Sequence, residues 1–269
     1  MVSSWKERIP EWDEPSPDND EICAGFEHRA YKKNGITIPY RLFVPEGPVS
    51  KGLASGESAD GGVPLILFLH GADVTGEDNE VHIRAHDIGA VYARPQWQAY
   101  RPSVIVAPQY NNRLHWSRPV VMENLISLMD ELCEEYPFID PKMKCVYGYS
   151  AGGIGALKIM KQNPGLFHRA LILCAATPDD YLDELSATPF WLFHAVDDGI
   201  VSNRTYTMYG LNSYYGSRAL YEAMKEKMGD DIRYTEYAEG ELMEKYGVNP
   251  HCAWVPVAQD EEALRWLVS

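Results

Sequence analysis

Nowhere in the sequence does an apolar run approach the ~20 residues needed to cross about 30 Å of hydrocarbon. The longest strong run, residues 63–69, contains a proline and has the length of a strand. A helical membrane span is excluded on this pattern, and no membrane partner is expected. Positive charge is also scarce: 24 Lys and Arg face 39 Asp and Glu, a formal net charge of −15. Binding a polyanion needs a basic surface, so no nucleic-acid partner is expected. The same charge disfavours strongly anionic substrates at long range, although a local field can override a global one. The 5 cysteines include no pair at metal-ligand spacing, so neither a metal nor any other cofactor is expected. Cys133, Cys145 and Cys174 lie inside apolar patterns and read as reduced core thiols, with Cys23 and Cys252 left open. Residues 1–20 lack the basic start and apolar stretch of a secretory leader, and a cytoplasmic location is the expectation.

What is present reads as one globular unit. The 269 residues are 45% hydrophobic and 23% charged, enough apolar surface to offset the ordering entropy of a packed domain. Residues 1–25, with Pro10, Pro15 and Pro17 and little periodicity, read as an N-terminal arm, extended on the surface or loosely ordered. Residues 26–269 read as one domain, with no internal repeat. It opens with alternating patterns at 26–33 and 36–44 around Asn34-Gly35, a two-residue hairpin signal. Residues 47–62, rich in Gly, Ser and Ala, suit an exposed loop.

Short continuous apolar runs follow at 65–69, 104–107, 145–147, 170–174 and 190–193, as in strands buried on both faces. Helical patterns at 120–136 and 154–160 lie between them, and a helix at 217–228, a strand at 232–237 and a final helix at 261–268 come after. Strands alternating with helices imply an α/β fold built on a doubly wound, mostly parallel sheet. Little chain separates the run ending near Ala175 from the one starting near Phe190, so no large cap domain is expected and the site should be open.

The chemistry centres on Gly148-Tyr149-Ser150-Ala151-Gly152-Gly153, which leaves a predicted strand and enters a helical pattern. That is the setting of a nucleophile elbow, where a strained turn exposes the serine and only small residues fit two positions to either side. A bare G-x-S-x-G would mean little without it. A serine hydroxyl is a poor nucleophile at neutral pH and needs a base, which in turn needs an orienting acid. In this type of fold the acid follows the serine and the histidine follows the acid. Of His168, His194 and His251, only His251 has that order. Asp197 and Asp198 both sit just past a late strand, and position alone does not choose between them; Asp179, Asp180 and Asp183 are more distant alternatives. The oxyanion hole requires two backbone N–H groups: Ala151, directly after the serine, and Ala72, where Leu69-His70-Gly71-Ala72 leaves its strand. His70, at a strand end, reads as a hydrogen-bonded structural histidine.

These residues resemble the α/β-hydrolases of the esterase group that includes polyhydroxybutyrate-depolymerase-like, feruloyl-esterase-like and predicted-peptidase proteins. The likeness runs from about Phe26 onward. It rests on the stretch from Pro64 to Ala72 with Gly76-Glu77-Asp78-Asn79 behind it, Ala107-Pro108-Gln109, Ile139-Asp140-Pro141 and the elbow. It also rests on Phe193-His194-Ala195-Val196-Asp197-Asp198, whose aspartate four residues after the histidine implies Asp198, and on His251-Cys252-Ala253-Trp254. Ala195 stands where the group commonly has Gly. The resemblance implies a serine hydrolase cleaving carboxylic esters with short or aromatic acyl groups through an acyl-enzyme. Ser150, Asp198 and His251 would form its triad. A small-molecule or polymer-attached ester is the implied partner, with a homo-oligomer possible. A peptidase or amidase, and a hydrolase-fold binding protein that no longer turns over, are the alternatives. Trp116 is similar to a tryptophan that relatives carry beside the serine. Between Asp198 and Ser217 an extra stretch holds Tyr206, Tyr209, Tyr214 and Tyr215. Trp116, Tyr206 and Tyr209 are therefore candidate substrate-binding residues.

Overall fold

The computed structural model describes residues 12–45, 62–111, 114–180, 182–208 and 212–269. Tyr209 and nearly all of the loop expected at 47–62 lie outside them. β1 (Glu27–Lys33) and β2 (Ile36–Phe43) form the expected hairpin. Asn34 and Gly35 both take positive φ, 51° and 74°, which gives a two-residue turn the hand that matches strand twist.

β2 pairs antiparallel with β4 (Val104–Pro108), and from there the sheet is parallel: β3 (Val63–Leu69), β5 (Ile139–Tyr149), β6 (Arg169–Leu173), β8 (Phe190–Ala195) and β11 (Ile232–Tyr237). The eight-stranded order is β1-β2-β4-β3-β5-β6-β8-β11. Because side chains alternate along a strand, each parallel strand feeds two cores. Leu65, Leu67 and Leu69 of β3 join Val146, Ile172 and Leu192 on one face. Ile66 and Phe68 join Tyr147, Leu171 and Phe193 on the other.

Helices cover both faces, as continuous apolar strands require. α1 (Asn19–Ala24), α2 (Val81–Arg84) and α3 (Pro95–Tyr100) come early in the chain. The long helices α4 (Pro119–Glu135), α5 (Ala151–Gln162) and α6 (Ser217–Met228) pack on the first face through residues such as Leu125, Leu157 and Leu220. After α7 (Glu241–Tyr246), the short α8 (Trp254–Val257) and α9 (Glu261–Val268) pack on the second through Trp254, Leu264 and Leu267. No helix among the described residues is long and apolar enough to cross a membrane.

Two features differ from the sequence reading. The tyrosine-rich stretch is not a plain loop: β7 (Ala176–Pro178), β9 (Thr205–Met208) and β10 (Asn212–Gly216) make a separate antiparallel sheet in the order β7-β10-β9. Its strands of three to five residues are too short for a two-residue periodicity to stand out. From Trp12 onward the arm is packed on the domain and includes a short helix. The Trp12 ring packs 5.1 Å from that of Trp254, Ser16 N–H donates to Asp87 at 2.9 Å, and residues 19–24 form α1. Its anchors are single polar and aromatic contacts across long sequence separations, which leave no periodic trace. The five cysteines are all free, and Cys23 and Cys252 are buried.

Candidate active site

β5 runs out at Tyr149 and α5 begins at Ala151, leaving Ser150 at φ 50° and ψ −120°, an unfavourable conformation for a residue with a side chain. The turn survives because its flanks carry no Cβ. One on Gly148 would lie 2.7 Å from the Gly152 carbonyl carbon, and one on Gly152 would collide with the Leu69 carbonyl oxygen. Ser150 N–H donates to Leu173 O at 2.9 Å, tying the turn to β6.

His251 reaches the serine from the loop before α8. Its Nε2 lies 3.0 Å from Ser150 Oγ and its Nδ1 lies 2.7 Å from Asp198 Oδ2. His251 is 2% exposed and Asp198 8%, so the pair is almost sealed from water. Asp198 follows β8, and its Oδ1 accepts the N–H groups of Ile200 and Val201 at 2.8 and 3.0 Å. Burial alone would raise its pKa, but the His251 charge and hydrogen bonds from His194 and His251 outweigh it, holding the carboxyl well below the usual carboxylate range. A carboxylate fixed on one imidazole nitrogen leaves the other free to take a proton from a hydroxyl. Asp197, indistinguishable by position, turns away and accepts Gly240 N–H at 2.9 Å. His168 lies elsewhere, bonded to Ser269 O at 3.0 Å.

Ala151 opens α5, where first-turn N–H groups have no partner within the helix. Ala72 opens the 3-10 turn Ala72–Val74, with His70 and Gly71 between it and the end of β3. The loop carrying Ala72 is held from several sides. His70 Nδ1 lies 2.7 Å from Gly71 O, its Nε2 accepts Tyr110 N–H at 3.1 Å, and burial pushes its pKa down to about 4. It is a neutral structural histidine, as read from sequence. Trp116 is fully buried, donating through Nε1 to His70 O at 3.0 Å and packed against Gly155. That corrects its assignment as a substrate-binding residue, because a side chain without exposed surface anchors the loop and meets no ligand. Tyr206 is half-buried and stacks on Tyr214 at 5.6 Å; burial, then Tyr214, then the charge of Asp198 raise its pKa.

Two parts of this arrangement escaped the sequence reading. His194 Nε2 lies 3.0 Å from Asp198 Oδ2, so one carboxylate oxygen serves two imidazoles. The four-residue spacing on a strand end was the available signal. The second part sits behind the oxyanion loop. Asp73, next to Ala72, meets His86 Nε2 at 2.7 Å and accepts the hydroxyl of Tyr149, next to Ser150, at 3.1 Å. His86 Nδ1 then contacts Asp13 at 2.8 Å, and Asp13 accepts Trp254 Nε1 at 3.0 Å. Burial opposes charge on His86, but Asp13 and then Asp73 outweigh it and push its pKa up to about 10. One buried carboxylate thus bridges the segment of Ala72 and the segment of Ser150. Nothing local in the sequence joins Asp13, Asp73 and His86.

The prolyl oligopeptidase family model matches residues 113–227, a span that includes Ser150 and Asp198. Among solved structures, a thermostable esterase is 31% identical with a TM-score of 0.78. The match covers 92% of this chain but 63% of that one, so the chain spans less than two thirds of the esterase's length. A ferulic acid esterase is 14% identical over 90% of this chain and 96% of its own, with a TM-score of 0.58. An acylaminoacyl peptidase of Pyrococcus horikoshii is 15% identical over 88% of this chain and 41% of its own, with a TM-score of 0.55. No curated protein matches the sequence. The last two structures speak for the fold alone; the chain has the α/β-hydrolase fold and is similar to a thermostable esterase and, over residues 113–227, to the prolyl oligopeptidase family.

Proposed function

We propose that the protein hydrolyses carboxylic esters through an acyl-enzyme, with Ser150 as nucleophile, His251 as base and then acid, and Asp198 as the acid that orients His251. The observation that carries this reading is the unbroken pair of hydrogen bonds, Ser150 to His251 at 3.0 Å and His251 to Asp198 at 2.7 Å. Ser150 Oγ adds to the ester carbonyl carbon while its proton passes to His251 Nε2. The carbonyl oxygen becomes an oxyanion facing the N–H groups of Ala72 and Ala151. Collapse of the tetrahedral intermediate breaks the bond to the alcohol, which leaves with the proton from His251. Water repeats the sequence on the acyl-enzyme and returns the serine. No step calls on a metal or organic cofactor.

Hydrolysis of amides by the same triad is the second reading, favoured by the prolyl oligopeptidase match and the peptidase among the similar structures. The test is turnover of 4-nitrophenyl acetate and octanoate beside a peptide 4-nitroanilide panel, by wild type and Ser150→Ala with matching circular dichroism. Ester turnover that falls by about 10⁴-fold or more in Ser150→Ala is expected. Equal turnover by the two proteins would overturn the serine assignment, and faster anilide than ester cleavage would move the protein to the peptidases.

A further inference from the structure

One helix face leads away from Ser150. Along α5 the residues that are neither buried nor fully exposed are Ile154, Lys158 and Lys161, which with Ser150 follow the spacing of a single helical stripe. The small sheet stands opposite. Tyr214 pairs directly with Pro178 on one side and with Tyr206 on the other, so the three share one face of that sheet. Pro178 and Tyr214 line a cavity of about 430 Å³ together with Ile154, Lys158 and Lys161. That volume lies in the range of small-molecule sites. The Tyr206 end of the same wall approaches Asp198, whose charge Tyr206 feels. The cleft therefore begins one helical turn below the serine and is walled by apolar and aromatic surface.

Its two lysines are not equivalent. Lys161 Nζ is neutralised, donating to Asp180 at 2.8 Å and to Pro178 O at 3.1 Å. Lys158 Nζ donates to Ser117 O at 2.9 Å and has no carboxylate within ion-pair distance among the described residues. An ammonium carries three donors, so Lys158 keeps capacity for an acceptor. In a chain of net charge −15, a cleft lysine with no ionic partner among the described residues is a local exception. It is felt nearby: burial first and Lys158 second lower the pKa of His115. Glu184 sets the limit. It lines the same cavity, and its Oε2 is buried with no hydrogen-bond partner among the described residues, so a polyanion is repelled and no more than a single carboxylate fits beside Lys158.

We propose that this cleft is the acyl subsite and receives an acyl chain ending in one carboxylate, which Lys158 binds. The inference rests on the ester-hydrolase reading above. The direction follows from the helix stripe, which runs from Ser150 through Ile154 into the cleft, whereas the alcohol takes its proton from His251, which is not on that stripe. The length follows from the helix. Eight residues of α5 span about 12 Å, and a side chain leaning back toward the helix N-terminus shortens this to about 8–12 Å, an acyl chain of about eight carbons.

The test compares the 4-nitrophenyl monoester of suberic acid with the same compound capped as a methyl ester at the far carboxyl, on wild type, Lys158→Met, Lys158→Glu and Ser150→Ala. Wild type is expected to prefer the free carboxylate by about ten- to a hundredfold in kcat/KM, carried by KM, the worth of a charge-assisted hydrogen bond. Lys158→Met should bring the ratio near one and Lys158→Glu should invert it. The ratio is internal to each variant, so a change in folded fraction cancels. A wild-type ratio near one, or a wild-type ratio retained in Lys158→Met, would overturn the subsite. Equal hydrolysis by Ser150→Ala would instead overturn the serine reading on which it rests.

Discussion

Two buried clusters of histidine and carboxylate lie within a few residues of Ser150, and they invert each other's stoichiometry. In one, a single carboxylate, Asp198, serves two imidazoles, His251 and His194. In the other, two carboxylates, Asp73 and Asp13, enclose a single imidazole, His86. The ingredients are the same and the results are opposite. His251 has a nitrogen left over, aimed at a hydroxyl, and so has proton-transfer capacity. His86 has both nitrogens near carboxylates, whose charges favour its imidazolium form, and serves as a strut. What the far nitrogen meets decides whether a buried histidine moves protons or holds loops.

The contrast is broken most severely at the first cluster. Asp198→Asn should lower kcat by about ten-thousandfold with the fold intact, because the wrong imidazole tautomer then faces the serine. Asp197→Asn, one residue away but bonded, among the described residues, to Gly240 N–H, should stay within about twofold on the same ester assay. Equal losses in the two variants would mean that the turn is what matters and not the carboxylate.

At the second cluster the expected loss is smaller and of a different kind. Asp73→Asn loosens the link between the Ala72 loop and Tyr149, so kcat should fall by about a hundredfold while KM holds, the pattern of misplaced transition-state donors. Inhibition by a boronic acid, which mimics the tetrahedral oxyanion, should weaken in step. A lowered Tm with kcat per folded molecule unchanged would reduce the cluster to structure alone.

The smallest effect is a slope. The folded pKa of His86, about 10, lies above the ordinary histidine value of about 6.5. The stability this contributes is complete below pH about 6.5 and is lost as pH rises through about 10. Asp13→Asn removes the largest charge favouring the imidazolium, so its midpoint in urea should decline less steeply than that of wild type between pH 7 and 10. Parallel slopes would mean that Asp13 is not the partner that keeps His86 charged.

Most of the sheet was legible because parallel strands buried on both faces are continuous apolar runs; the hairpin turn at Asn34-Gly35, the helix Ser217–Met228 and the strand Ile232–Tyr237 were read at their observed bounds. Ser150 was legible because an elbow is local, a strand, a small-residue turn and a helix in ten residues. His251 needed only order along the chain. Asp198 could not be separated from Asp197 by pattern, since the two differ only in which way a turn points each carboxyl; the family resemblance made the choice. Trp116 was misread because burial depends on its packing against Gly155 and His70, 39 and 46 residues away in sequence. Asp13, Asp73 and His86 were invisible for the same reason, since none belongs to a periodic pattern and each finds its partner only in the folded chain.

Asp13 has a consequence for how the molecule is assembled. Its carboxylate accepts from Trp254, 241 residues further on, so the segment around Asp13 is completed by one made much later. Contacts of such separation close the longest loops and form after the local ones. During translation the stretch around Trp12 lacks the Trp254 part of its seat until α8 has emerged, so Asp13 is fixed against His86 only after that. Trp254, which closes this contact, packs 4.4 Å from the ring of Tyr149, so the late-made segment backs the turn that carries Ser150.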